Sequence, residues 1–149
     1  MKIIKNKQFL SRKSKTVKFE NGLRIGHTLL NILNEYPDGV GLAAPQIGLL
    51  SRVFVIRLHN YEGIFINPKL IYKENSFISK ESCLSFPNQI CNIIRYKRIL
   101  ILSETEEFKD TTLQLQNEMA TIWQHEFDHL NGETILDKEI KNENLLQSY

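Results

Sequence analysis

Apolar residues recur at three- and four-residue steps between Phe19 and Tyr36, at Leu23, Ile25, Leu29, Leu30, Ile32 and Leu33, which predicts an amphipathic helix. Tyr36-Pro37-Asp38-Gly39 should end it, since proline disfavours helix at the preceding residue and glycine allows the turn. The pattern then changes. Residues 52–58 are rich in β-branched and aromatic side chains and predict a strand; 64–66, 70–72, 92–96, 99–102 and 111–116 predict weaker ones. Helical spacing returns from about Asn117, a candidate N-cap, to Leu130, with Asn131-Gly132 as the stop. A helix, several strands in succession and a second helix make an α+β fold, not an alternating one. The expected architecture is short antiparallel sheets wrapped around the C-terminal helix.

Composition narrows the class without naming a function. With 149 residues and 42% hydrophobic positions, the chain fits one domain spanning 1–149 around one core. A formal charge of +2 is too small to mark a nucleic-acid binder, and no apolar stretch reaches the roughly 18 residues of a membrane helix. Cys83 and Cys91 are the only cysteines, which points to a reducing cytoplasm instead of a secreted disulfide scaffold. Spacing alone leaves a bond between them open. Lys2, Lys5, Lys7, Arg12, Lys13, Lys15 and Lys18 precede the first acid, Glu20; this segment is too interrupted for a signal peptide, though its composition fits an organellar transit peptide.

The last helix carries His125-Glu126-Phe127-Asp128-His129, an H-E-x-x-H. Histidines four apart lie about 40° apart around a helix, so both rings can reach one metal ion. Glu126 stands beside them, placed to serve as a general base. On a helical wheel it falls in the apolar arc of Met119, Ile122, Trp123, Phe127 and Leu130, where a carboxylate should be desolvated and its pKa raised. Gln124, Asp128 and Asn131 fall on the opposite, polar side. An elongated zinc-protease motif would need a third histidine where Ile135 stands, and only twenty residues follow His129 to present a downstream acid. The third ligand is therefore expected upstream, and Cys83 is the best candidate, a thiolate being an ordinary partner of two imidazoles. His27, His59 and Cys91 sit in no motif and read as structural or surface residues.

Two upstream blocks complete the pattern: Gly39-Val40-Gly41-Leu42-Ala43-Ala44-Pro45-Gln46 and Glu81-Ser82-Cys83-Leu84-Ser85. The first resembles a dinucleotide fingerprint in its glycines, but a helix precedes it and a proline follows, the wrong context. In this order the blocks resemble the peptide deformylase family, whose motifs are G-x-G-L-A-A-x-Q, E-G-C-L-S and H-E-x-D-H. Ile66-Asn67-Pro68, Arg95 and the stretch from Leu10 to Val17 resemble the family too, which argues against a transit peptide. Ser82 is the departure, standing where the family has glycine; it is harmless if the position is extended and strained if φ is positive.

The resemblance implies a hydrolase that removes the N-formyl group from the initiator methionine of nascent peptides. It further implies Cys83, His125 and His129 as ligands of one divalent metal ion, ferrous iron physiologically, with zinc, nickel or cobalt in preparations. Glu126 would move the proton, and Gln46 and the backbone N–H of Leu84 would stabilise the oxyanion. Peptide would pair with the backbone around Gly39, Val40 and Gly41, its methionine entering an apolar pocket beside Val40 and Ile122. A zinc endopeptidase or a non-catalytic metal-binding module are the rival readings. The chain looks like the short deformylases of bacteriophages. The basic C-terminal helix by which longer bacterial members dock on the ribosome would be a stub near Glu139 to Leu146, weakening that contact. A cytoplasmic monomer, with no nucleic-acid or membrane partner, completes the expectation.

Overall fold

A computed structural model describes residues 2–141. In chain order it contains α1 (Lys7–Leu10), α2 (Phe19–Leu33), β1 (Gly41–Ala43), a 3-10 turn at Ala44–Ile47, β2 (Val53–Leu58), β3 (Tyr61–Cys83), β4 (Phe86–Thr105), β5 (Thr111–Gln116), α3 (Asn117–Leu130) and α4 (Ile135–Lys138). The strands form a single antiparallel sheet in the order β1-β2-β3-β4-β5. The short sheets expected from the sequence are stretches of this one meander. Segments 64–66 and 70–72 lie within β3, and 92–96 and 99–102 within β4. Polar residues interrupt the apolar pattern there without interrupting the backbone ladder, and register shifts at Ile66/Lys69, Leu70/Tyr72 and Glu81/Cys83 bend it.

The sheet is covered on both faces. Val53 and Val55 of β2 pack towards α2 with Leu29, Leu33, Ile64 and Ile66. Their neighbours Phe54 and Ile56 pack towards α3 with Phe65, Ile99, Ile101 and Trp123. That double burial explains why β2 reads as a continuous apolar run. Phe54 stacks on Phe65 at 5.2 Å and meets the edge of Trp123 at 5.5 Å. α2 approaches β3 closely because Gly22 and Gly26 face it; a Cβ at Gly22 would stand 2.6 Å from the Ile66 side chain.

Two tethers place the first motif. Arg57 of β2 reaches the C-terminus of α2, where its Nη2 donates to the carbonyls of Leu33 (3.0 Å), Tyr36 (3.1 Å) and Gly39 (3.3 Å). A guanidinium there satisfies carbonyls that a helix end leaves unpaired, and complements the helix dipole. The Arg57 N–H also donates to the Val40 carbonyl at 2.7 Å. The chain therefore enters β1 in a fixed position, along the edge of the sheet.

Two expectations for α3 need correction. Asn117 is not the N-cap: Gln116 holds that position without a side-chain cap bond, and Asn117 has φ 54°. Gln124 and Asp128 do not face solvent either; they are 6% and 8% exposed. The long β3–β4 hairpin folds over that side of the helix, and Gln124 pairs with both the N–H (3.0 Å) and the carbonyl (2.8 Å) of Tyr96. A wheel drawn from the helix alone has no means of seeing a distant hairpin arrive. Both cysteines are buried and free, so no bond joins them.

Candidate metal centre and peptide cavity

The centre is assembled from three places in the chain. Cys83 ends β3, where Leu84 and Ser85 make the two-residue turn into β4. His125 and His129 project from α3, and Gln46 comes from the 3-10 turn after β1. One ligand atom from each of Cys83, His125 and His129 lies within 4.8 Å of the others. Cys83 Sγ is 3.5 Å from His129 Nε2, and the two imidazole centroids are 5.4 Å apart. A thiolate and two imidazoles so converged fit one divalent transition-metal ion, with a coordination position left for water or substrate. The residues expected to be ligands are thus brought together.

Groups behind the ligands fix their orientation. His125 Nδ1 lies 2.9 Å from Glu81 Oε1, which leaves Nε2 for the metal. Glu81 is itself gripped by Arg95 through two 2.8 Å bonds, and Arg95 Nη1 donates to Asp128 at 2.6 Å. Glu81, Arg95 and Asp128 are all buried. Burial would raise the Glu81 carboxyl, but hydrogen bonds from Arg95 and His125 hold it at about 2. His125 is likewise pushed down by burial yet ends well above the usual imidazole value, through its hydrogen bonds to Cys83 and Glu81. Burial, followed by repulsion from His125, lowers His129 to about 3.

Glu126 differs from the other acids. It is 4% exposed, its Oε1 has no hydrogen-bond partner among the described residues, and its Oε2 is 4.0 Å from His125 Nε2. Burial raises its pKa to about 7. Gln46 is pinned by its Oε1, which accepts from the Ala43 N–H at 3.0 Å, while Nε2 donates to Ser85 Oγ at 3.1 Å and faces Cys83 Sγ at 3.6 Å. Its amide hydrogens are therefore aimed at the cysteine side of the centre.

A cavity of about 700 Å³ opens onto these groups, lined among others by Gly39, Val40, Gly41, Leu84, Ile122 and Glu126. Every residue singled out in the sequence for substrate contact lies on its wall. Among the described residues β1 pairs only with β2, so its other side offers an unpaired strand edge to this space. Gly41 is required by a close approach: a Cβ there would stand 2.7 Å from Glu126 Oε2. Ser82 is part of β3 and is not among the residues with positive φ, so serine costs nothing there. His27 and His59 are not part of the cluster; both are exposed, beside Glu106 and Glu118 respectively.

Sequence reasoning named Glu81 and Arg95 only as motif or resemblance positions and put Asp128 on the wrong face. A buried carboxylate two residues before a candidate ligand is a usable signal for the first. The other two depend on the hairpin's path and left no mark in the local pattern.

The family model described as Polypeptide deformylase matches residues 1–144. The peptide deformylase of Thermotoga sp. (strain RQ2) is 36% identical over 132 residues, covering 87% of this chain and 80% of that protein. The crystal structure of peptide deformylase from Thermotoga maritima superposes with a TM-score of 0.85 at 33% identity, covering 94% of this chain and 96% of that one. The PDF of the Vibrio parahaemolyticus bacteriophage VP16T, solved with actinonin, gives a TM-score of 0.82 at 28% identity, covering 90% and 99%.

Proposed function

The chain belongs to the polypeptide deformylase family, hydrolases that remove the N-formyl group from nascent peptides, and from that premise we propose how its own residues carry the reaction. The observation that carries the proposal is the convergence of Cys83, His125 and His129 within 4.8 Å beside the buried Glu126 carboxylate.

Cys83, His125 and His129 hold one divalent ion, ferrous iron in the physiological enzyme. Bound there, such an ion would supply Lewis-acid chemistry towards the formyl carbonyl and a water molecule. Glu126 takes a proton from the attacking water and returns it to the amine nitrogen as the C–N bond breaks, so formamide and water become formate and a free N-terminus. Its unusual burial suits both roles, since a carboxyl near neutrality accepts and gives up a proton with similar ease. Gln46 Nε2 and the Leu84 N–H donate to the oxygen that gains charge during attack. Glu81 keeps His125 in one tautomer. The peptide adds a strand to the free edge of β1, its backbone meeting Gly39, Val40 and Gly41, and its first side chain lies against Val40 and Ile122.

Release of formate from a formyl-Met peptide by metal-loaded protein is the direct test. Cleavage of internal peptide bonds without formate release would instead favour an endopeptidase, and four protein ligands on the bound metal would favour a binding module. Loading the apoprotein separately with iron, zinc, nickel and cobalt under anaerobic conditions tests the metal, with the highest turnover expected for iron.

Gly41→Ala supplies a second check. The new methyl group forces the Glu126 carboxylate aside, and a displacement near 1 Å costs on the order of a hundredfold in rate. The expected result is a kcat loss of that size with metal content unchanged.

No described helix is long and apolar enough to cross a membrane. A cytoplasmic monomer acting on nascent chains is the cellular setting proposed. The C-terminal stub expected near Glu139 to Leu146 lies largely outside the described residues, which end at Lys141.

A further inference from the structure

The cavity is not uniformly apolar, and several of its polar side chains have no part in the reaction described above, two of them hydroxyls set back from solvent. Val40, Leu84 and Ile122 supply hydrocarbon, whereas Ser79 from β3 and Thr121 from α3 supply hydroxyl groups. Ser79 precedes Glu81 by two residues on the same face of the strand, and Thr121 precedes His125 by one helical turn. Glu81 and His125 meet at 2.9 Å, so the two hydroxyls stand at comparable distances from that contact, about 6.6 Å along the strand and about 6 Å along the helix. The cavity continues in that direction to Phe77 and Asn117, so the hydroxyls flank its course and not its end.

Ser79 is only 8% exposed, Thr121 is half-buried, and neither hydroxyl has a hydrogen-bond partner among the described residues. Water can satisfy them while the cavity is open. An all-hydrocarbon side chain would expel that water and strand both groups, which is unfavourable. A site holding such groups favours an occupant able to pair with them and rejects the analogue that lacks the partner atom.

We infer that Ser79 and Thr121 are specificity-determining residues, selecting formyl peptides whose first side chain carries a hydrogen-bond acceptor at or next to its δ position. The inference rests on the deformylation reading and deepens it. A methionine thioether is a weak acceptor at that position, its sulfoxide a strong one, and norleucine offers none. Oxidised formyl-methionine chains thus remain substrates.

The test compares kcat/KM for three otherwise identical formyl peptides beginning with norleucine, methionine or methionine sulfoxide. The sulfoxide-to-norleucine ratio is expected to be roughly tenfold or more in the wild-type enzyme, and Thr121→Val and Ser79→Ala should each lower it about three- to tenfold. Part of that change comes from faster norleucine turnover, which also reports an intact fold. Thr121→Ser keeps the hydroxyl and should keep the wild-type ratio. A ratio near or below one in the wild type, or one that the variants leave unmoved, overturns the assignment while deformylation stands. Formate from none of the three peptides overturns deformylation, and this inference with it.

Discussion

Glu126→Ala is expected to lower formate release by about a hundredfold to ten-thousandfold while metal content stays at the wild-type level. The two effects separate because Glu126 is not among the converged ligand atoms, yet borders the cavity where water and substrate must meet. Stability should move the other way. Glu126 is buried with Oε1 unpaired, and a buried polar group without a partner is destabilising. Its removal should therefore leave the melting temperature unchanged or raised, a pattern expected where activity and not packing maintains a residue. The pH dependence of the metal-free protein gives an independent reading. Burial lifts the carboxyl from 4.5 to about 7, so the unfolded chain loses its proton first as pH rises. The contribution of Glu126 to folded stability should accordingly decline between about pH 4.5 and pH 7, so the stability of Glu126→Ala relative to the wild type should rise across that range. Activity retained in the alanine variant would remove Glu126 from the mechanism. A matching loss of metal would assign it to the ligand set.

The elements that could be read in advance are those governed by local spacing. α2 starts at the expected residue, β5 has the expected bounds, α3 ends where expected, and β2 differs by one position. The Cys83, His125 and His129 cluster was legible because an i, i+4 pair must share a helix face and because a thiolate is an ordinary partner of two imidazoles. The long hairpin was not. β3 and β4 alternate imperfectly, with Lys73 and Glu74 or Lys97 and Arg98 breaking the apolar pattern where the strands leave the core. Cross-strand pairing continues through those residues because the backbone ladder does not depend on side-chain polarity. That same hairpin brings Arg95 onto α3 and closes over Asp128. The unforeseen part of the centre is thus one long-range event, and its consequences for Gln124, Asp128 and Arg95 are a single omission.

Arg95→Ala should produce the largest loss of stability in this part of the molecule. Arg95 is 3% exposed and is the one guanidinium between two buried carboxylates, Glu81 and Asp128. Removing it leaves both acids facing each other's charge, with Lys138 3.4 Å from the far oxygen of Asp128 and His125 beside Glu81 as the remaining cations. Breaking a buried ion pair by deleting one partner costs about 3–5 kcal/mol, a large share of the roughly 5–15 kcal/mol that holds a domain folded. A drop in melting temperature of about 10 °C is expected. Acid should be less harmful to the variant than to the wild type, by the following linkage. In the wild type Glu81 is held at about 2 against an ordinary 4.5, so its contribution is complete above about pH 4.5 and drains away as pH falls towards about 2. Without Arg95 that depressed value is largely lost, and the gap between variant and wild type should narrow as acid protonates Glu81 in both. Replacing the three charges together, with Arg95→Met, Glu81→Gln and Asp128→Asn, should recover much of the stability, because no unpaired charge remains in the interior. It should not recover metal affinity in full, since a neutral amide orients the His125 ring less firmly than a carboxylate does. Equal melting temperatures for wild type and Arg95→Ala would show that the buried network carries no stability. Full metal affinity in the triple variant would show that Glu81 does not act on the centre through His125.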